Sequence, residues 1–146
     1  MKINRNYYNI NINNIASLGI ENDIPTIILI SSNCIDKINY LEFFKEIRKY
    51  HLVWLIFIGK NAKWLEDEFD YLLEAEADKN EYFLNVITTS YQYDTINNLI
   101  IDDILHQFLI MACSNQENCQ FISFLDIKNN DDKRIFEEIM KGTELD

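Results

Sequence analysis

Glycine and proline are scarce in this chain, three and one respectively among 146 residues, which excludes collagen-like, linker-rich and low-complexity architectures. No GxGxxG occurs, and no GxxxxGKS or GxxxxGKT, so a backbone cradle for pyrophosphate has no sequence basis. Histidine occurs twice, at His51 and His106, which leaves little for general acid–base schemes. The three cysteines, Cys34, Cys113 and Cys119, are odd in number and lack CxxC spacing. That pattern argues against zinc and for free thiols in a reducing cytoplasm, with Cys113 buried and Cys119 nearer the surface. Cations are the deepest deficit: 13 Lys and Arg against 24 Asp and Glu give a net charge of −11. Such a surface disfavours direct nucleic-acid binding and docking on anionic lipid. The opening MKINRNYYNI has no apolar signal core, and the apolar runs are too short for a membrane helix.

What the chain does have is apolar residues, at 48%, enough for a buried core in one domain spanning 1–146. Four runs read as strands: 25–31 (PTIILIS), 52–58 (LVWLIFI), 83–88 (FLNVIT) and 120–127 (QFISFLDI). The first two are nearly continuous rather than alternating, as in strands buried on both faces, and 52–58 is expected at the centre of the sheet. A weak alternation over 7–12 (YYNINI) suits an edge strand, and a turn is expected at 21–23. Helical spacing recurs over 36–50, 61–77, 95–113 and 131–141. This β-α-β-α order predicts an α/β fold, a three-layer α/β/α domain. Its mostly parallel sheet has four to five strands, with helices on both faces.

The most unusual segment is 63–78 (KWLEDEFDYLLEAEAD). Leu65, Phe69, Leu72 and Leu73 form an apolar stripe, while Glu66, Asp67, Glu68, Asp70, Glu74, Glu76 and Asp78 face the lone cation Lys63. Like charges at helical spacing repel, so an unbalanced face is either a solubility feature or a surface shaped for a basic partner. Glu66, Asp67, Asp70 and Glu74 are the candidate partner-binding carboxylates, with Asp94 beside them. Trp64, Tyr91 and Tyr93 are aromatics that serve either as interface anchors or as packing beneath the loops.

Other constellations read more simply. The segments 31–33, 59–61 and 88–90 place hydroxyl and amide residues at three expected strand ends, where helix capping alone accounts for them. They are also where a small-molecule or nucleotide-binding enzyme would hold its ligand, which makes that the alternative function. Asp102 and Asp103 interrupt an apolar helix and fit a narrow solvent stripe with His106. The pattern of a phospho-acceptor receiver domain is not met: the first confident strand ends in Ser31-Ser32-Asn33 instead of acids, a later one ends in Thr88-Thr89, and Asp126 in the last has no acidic partner beside it. No catalytic residue, metal site or cofactor is assigned.

The stretch from about residue 50 to 130 carries an apolar strand ending at Gly59, then Trp64, Glu66-Asp67-Glu68 and Asp70. Val86-Ile87-Thr88-Thr89 follows, before an aromatic and acidic loop. In this it resembles a small bacterial α/β domain family of unknown function, which implies a fold and no reaction. In that pattern the acidic cluster stands slightly displaced, and a histidine or aromatic occupies the place of Tyr91. In character, being small and strongly acidic, the chain also resembles immunity proteins of bacterial toxin systems. That likeness implies a cytoplasmic, non-enzymatic protein that neutralises a cationic toxin, possessing nuclease activity in one version, by direct binding. The expected partner is a basic protein, with no nucleic acid and no membrane.

Overall fold

The computed structural model describes residues 6–17, 23–113 and 118–144. The chain runs β1 (Tyr7–Asn9), a 3-10 turn (Ile12–Ser17), β2 (Pro25–Ser31), α1 (Tyr40–Ile47) and β3 (His51–Gly59). It continues through α2 (Ala62–Ala77), a 3-10 turn (Glu81–Asn85), β4 (Ile87–Gln92), α3 (Asn98–Leu109), a 3-10 turn (Met111–Cys113), β5 (Gln120–Phe124) and α4 (Asn130–Glu144). The strands form one sheet in the order β1-β5-β2-β3-β4, every pair parallel. The α/β fold expected from the sequence is the one observed. No helix among the described residues is long and apolar enough to cross a membrane.

Alternation along β2 builds the two cores. Ile28 and Ile30 join Leu55, Phe57, Ile122 and Phe124 beneath α1 and α2, where Phe43, Phe44, Ile47, Leu65, Phe69 and Leu73 close the layer. Ile27 and Leu29 join Ile56, Ile58 and Phe121 on the opposite face, under Ile101, Ile104 and Phe108 of α3 and Ile135 and Ile139 of α4. Burying each such side chain stabilises the fold by about 1.5–3 kcal/mol. Both faces of β2 are therefore dry, which is why its sequence shows no polar alternation. A register shift between Thr26 and Ile27 sets Leu52 opposite Thr26 and Trp54 opposite Ile27.

The strand 52–58 lies inside the sheet as β3, paired on both sides, as its unbroken apolar run predicts, with β2 beside it in the middle place. Three expectations are corrected. The segment 83–88 begins as a 3-10 turn and its strand starts at Ile87, so 88–90 lies inside β4 instead of at a strand end. The first helix begins at Tyr40, because the Asp36 carboxylate accepts the Ile38 and Asn39 amides and holds 36–39 as a turn. Ile38, counted on its apolar face, is 92% exposed as a result. Cys119 is fully buried and disulfide-bonded, against the expectation of an exposed free thiol. Cys34 is free, and the Cys113 side chain and residues 21–22 of the expected turn lie outside the described residues.

Candidate functional site

Helix α2 sorts its acids by angle around the helix axis, at 100° per residue. The buried stripe is Ala62, Leu65, Phe69 and Leu73. On one flank, Glu66 and Asp70 lean on β4. The Ser90 hydroxyl donates to Glu66 Oε1 at 2.7 Å, and Thr88 Oγ1 lies 3.1 Å from Glu66 Oε2 and 2.5 Å from Asp70 Oδ1. Thr88 has one hydroxyl proton for two carboxylates, so it serves one of them at a time when both are ionised. Burial pushes the Asp70 carboxyl above its ordinary range. The Thr88 hydrogen bond opposes that shift, and the charges of Glu66 and Asp67 add to it.

On the other flank α2 is tied to α1. Tyr40 donates to Glu68 at 3.3 Å, and Arg48 meets Glu76 at 2.6 Å. Four of the seven acids thus hold the helix to its neighbours. Asp67, Glu74 and Asp78 remain on the outer face, around Tyr71, which is 72% exposed. Among the described residues only Asp67 has a partner there, Lys63 at 3.0 Å, in an exposed pair that contributes little.

The start of α2 is capped from outside. Asn61 makes no side-chain cap; instead Gln92 Oε1 of β4 accepts the Lys63 amide at 3.1 Å. Gly59 turns the chain with φ +111°, and a Cβ there would stand 2.3 Å from Ser32 Oγ, the oxygen that accepts the Asn61 amide. Capping does not account for 59–61 as a whole; close approach of two strand ends does.

The three aromatics do not form one patch. Trp64 packs edge-on to Tyr40 with centroids 5.3 Å apart, and the Lys37 ammonium lies 5.5 Å from its ring. It borders an open cleft of about 500 Å³ with Ile35, Ile38 and Asn61, in the α1/α2 layer. Tyr91 and Tyr93 belong to the opposite layer, under α3. Tyr91 is half-buried, and burial together with nearby Asp103 raises its hydroxyl pKa. Tyr93 is 9% exposed and packs in the core, its buried hydroxyl without a hydrogen-bond partner among the described residues. Burial, with Asp132 and Asp131 nearby, raises its pKa as well. Tyr93 is core, not an anchor. Asp94, Asp102, Asp103 and His106 are exposed, as the solvent-stripe reading of α3 requires.

A second carboxylate centre, which sequence reasoning passed over, lies where β2 and β5 send their chains to opposite faces. Asp132, in the first turn of α4, is fully buried. Its oxygens accept the Asn33 side-chain amide at 3.0 Å and the Asp126 backbone amide at 2.9 Å, with Ser31 also bonded to it. Burial raises its pKa, these hydrogen bonds oppose the shift, and the Asp126 charge adds to it. Cys34 nearby is pushed up to about 12 by burial and then by Asp132 and Asp126, which favours the protonated thiol. Alongside opens a cleft of about 500 Å³ lined by Asn9, Asn11, Asn33, Asp126 and Lys128. Its single lysine faces a single aspartate. The signal in the sequence was Asp131-Asp132 at the start of the expected helix 131–141, where acids are favoured by the helix dipole and announce no buried carboxylate.

Among the described residues no cluster of three or more His, Cys, Asp or Glu is arranged to hold a metal ion. Compared with protein families, curated proteins and solved structures, the chain matches none.

Proposed function

We propose that this is a non-enzymatic acidic binding protein that neutralises a basic protein partner by direct contact, as an immunity protein neutralises a cationic toxin domain. The observation that carries this reading is the outer row Asp67, Tyr71, Glu74 and Asp78 of α2, acids with no structural duty around an exposed aromatic ring. Among the described residues these acids make no bond to another element, the exposed Lys63–Asp67 pair lying within α2 itself, and charged residues of that kind around a tyrosine have the composition of an interface. The partner would carry lysine and arginine, and a nuclease does so because its own substrate is a polyphosphate. Of the residues expected to bind, Asp67, Glu74 and Asp94 are available, Trp64 and Tyr91 are half-buried, and Glu66 and Asp70 reach a partner only beside β4.

The test is capture of partners from the native host at low and high salt, repeated with Asp67, Glu74 and Asp78 all changed to lysine. Electrostatic capture by this face weakens with salt and collapses in the triple variant. Unchanged capture would reduce the row to a solubility feature. The enzyme alternative is less well supported, because 88–90 is interior to β4 and one lysine beside one aspartate gives the β2/β5 cleft no net positive charge to favour a nucleotide phosphate.

A further inference from the structure

Strand β4 is an edge of the sheet, paired with β3 along its whole length and with no strand on its other side among the described residues. Natural edges are blunted by lysine, proline, bulges or very short strands. The opposite edge, β1, is only three residues long. By contrast β4 (ITTSYQ) has six residues, no proline, no charge and an unbroken register with β3. The Tyr93 amide donates to the Gly59 carbonyl, toward β3. Backbone groups alternate sides along a strand, so the amides and carbonyls of Thr88, Ser90 and Gln92 point outward, a short ladder without a partner.

Charge on both sides of this edge limits what can occupy it. The Thr88 and Ser90 side chains contact Glu66 and Asp70 of α2, and Tyr91 lies near Asp103 of α3. A second copy would bring the same acids edge to edge and be repelled. A strand carrying lysine or arginine would be attracted. We infer that the free edge of β4 is the docking strand for an extended basic segment of the partner, which adds a sixth strand to the sheet. This rests on the proposed function and gives it a binding mode. Side chains of the added strand alternate between faces, one set meeting Glu66 and Asp70 and the other Thr89 and Tyr91. The segment recognised therefore alternates basic with apolar residues.

The probe is a short labelled peptide alternating lysine and valine, compared with the same peptide N-methylated at two adjacent central residues. Methylation keeps every charge and removes backbone donors from both peptide edges. The unmodified peptide should bind and shift the amide resonances of Thr88, Ser90 and Gln92, while the methylated one binds about tenfold or more weakly. Ser90→Pro removes one outward amide and should weaken the unmodified peptide beyond the effect of Ser90→Ala, which removes only the hydroxyl. Equal binding of the two peptides overturns the strand inference and leaves acidic capture standing. Binding of neither, with host capture intact at the α2 row, also overturns it alone. Loss of both peptide binding and host capture brings down the inference and the proposed function together. A dimer that Ser90→Pro dissociates would assign the edge to a second copy instead.

Discussion

Asp132 and Asp70 are both aspartates held by neutral donors and both pushed upward by burial, yet one lies at the closed end of β2 and β5 and the other along the open edge at β4. Asp132 has no exposure and takes hydrogen bonds from three residues in two loops and a strand end. Asp70 is partly exposed, shares one threonine hydroxyl with Glu66 and stands beside unpaired backbone. The first is a structural knot in which every donor depends on the carboxylate. The second is a loosely satisfied site with capacity to spare. Where a charge is completely enclosed it holds the fold, and where it is half-enclosed it remains available to a partner.

This contrast is broken most directly at the buried end. Asp132→Ala takes the buried acceptor from the Asp126 amide and the Asn33 side chain, and should cost about 3 kcal/mol in urea unfolding. A loss below half of that would mean water replaces the carboxylate there. Gly59→Ala should cost about 1–3 kcal/mol through its positive φ, and more because the added Cβ also meets Ser32. It probes the junction that joins both regions to β3, and a neutral result would show that the turn relaxes. At the edge, Thr88→Val keeps the branched strand side chain and should cost only about 1 kcal/mol. It should also raise the Asp70 pKa further in an NMR titration, since the bond that lowers it is gone. An Asp70 pKa unmoved by that change would separate the two groups.

The smallest effect is a pH dependence. Asp70 has a folded pKa above its unfolded one, so the folded state holds the proton more tightly and stability falls as pH rises between the two values. Asp70→Asn removes that loss. The variant should be more stable at neutral pH by no more than about 0.5 kcal/mol, because solvent screens a half-exposed group. The advantage should vanish below the unfolded pKa, where the native aspartate is protonated in both states. An advantage that persists in acid would trace to packing instead of charge.

Much of the fold was legible because burial on both faces writes a continuous apolar run. The strand Pro25–Ser31 is read to its ends, and Ala62–Ala77 to within a residue, from the periodicity of Leu65, Phe69 and Leu73. The fourth strand was misplaced because an edge strand lacks such a run. ITTSYQ carries hydroxyls that bond sideways to Glu66, Asp70 and Gln107, and nothing in its sequence announces those partners. Cys119 was misjudged because three cysteines without a motif say nothing about which of them lie close together.

The acidic helix divides along the same line. Sequence by itself determined that six carboxylates lie on one amphipathic helix with one cation, and a seventh at its end, since composition and a 100° turn per residue suffice for that. It determined equally that the sheet is mostly parallel and the helices cover both faces, while the direction of β1 was decided by its pairing with β5. Only the tertiary structure decided which acids are free, because that depends on what stands opposite each angle of the helix. Thr88 and Ser90 of β4 engage one flank, Tyr40 and Arg48 of α1 the other, and Asp67, Glu74 and Asp78 face water. Periodicity places a charge on a face of its own element. Whether that charge is bonded or exposed is settled by contacts between elements distant in sequence, which no local pattern encodes.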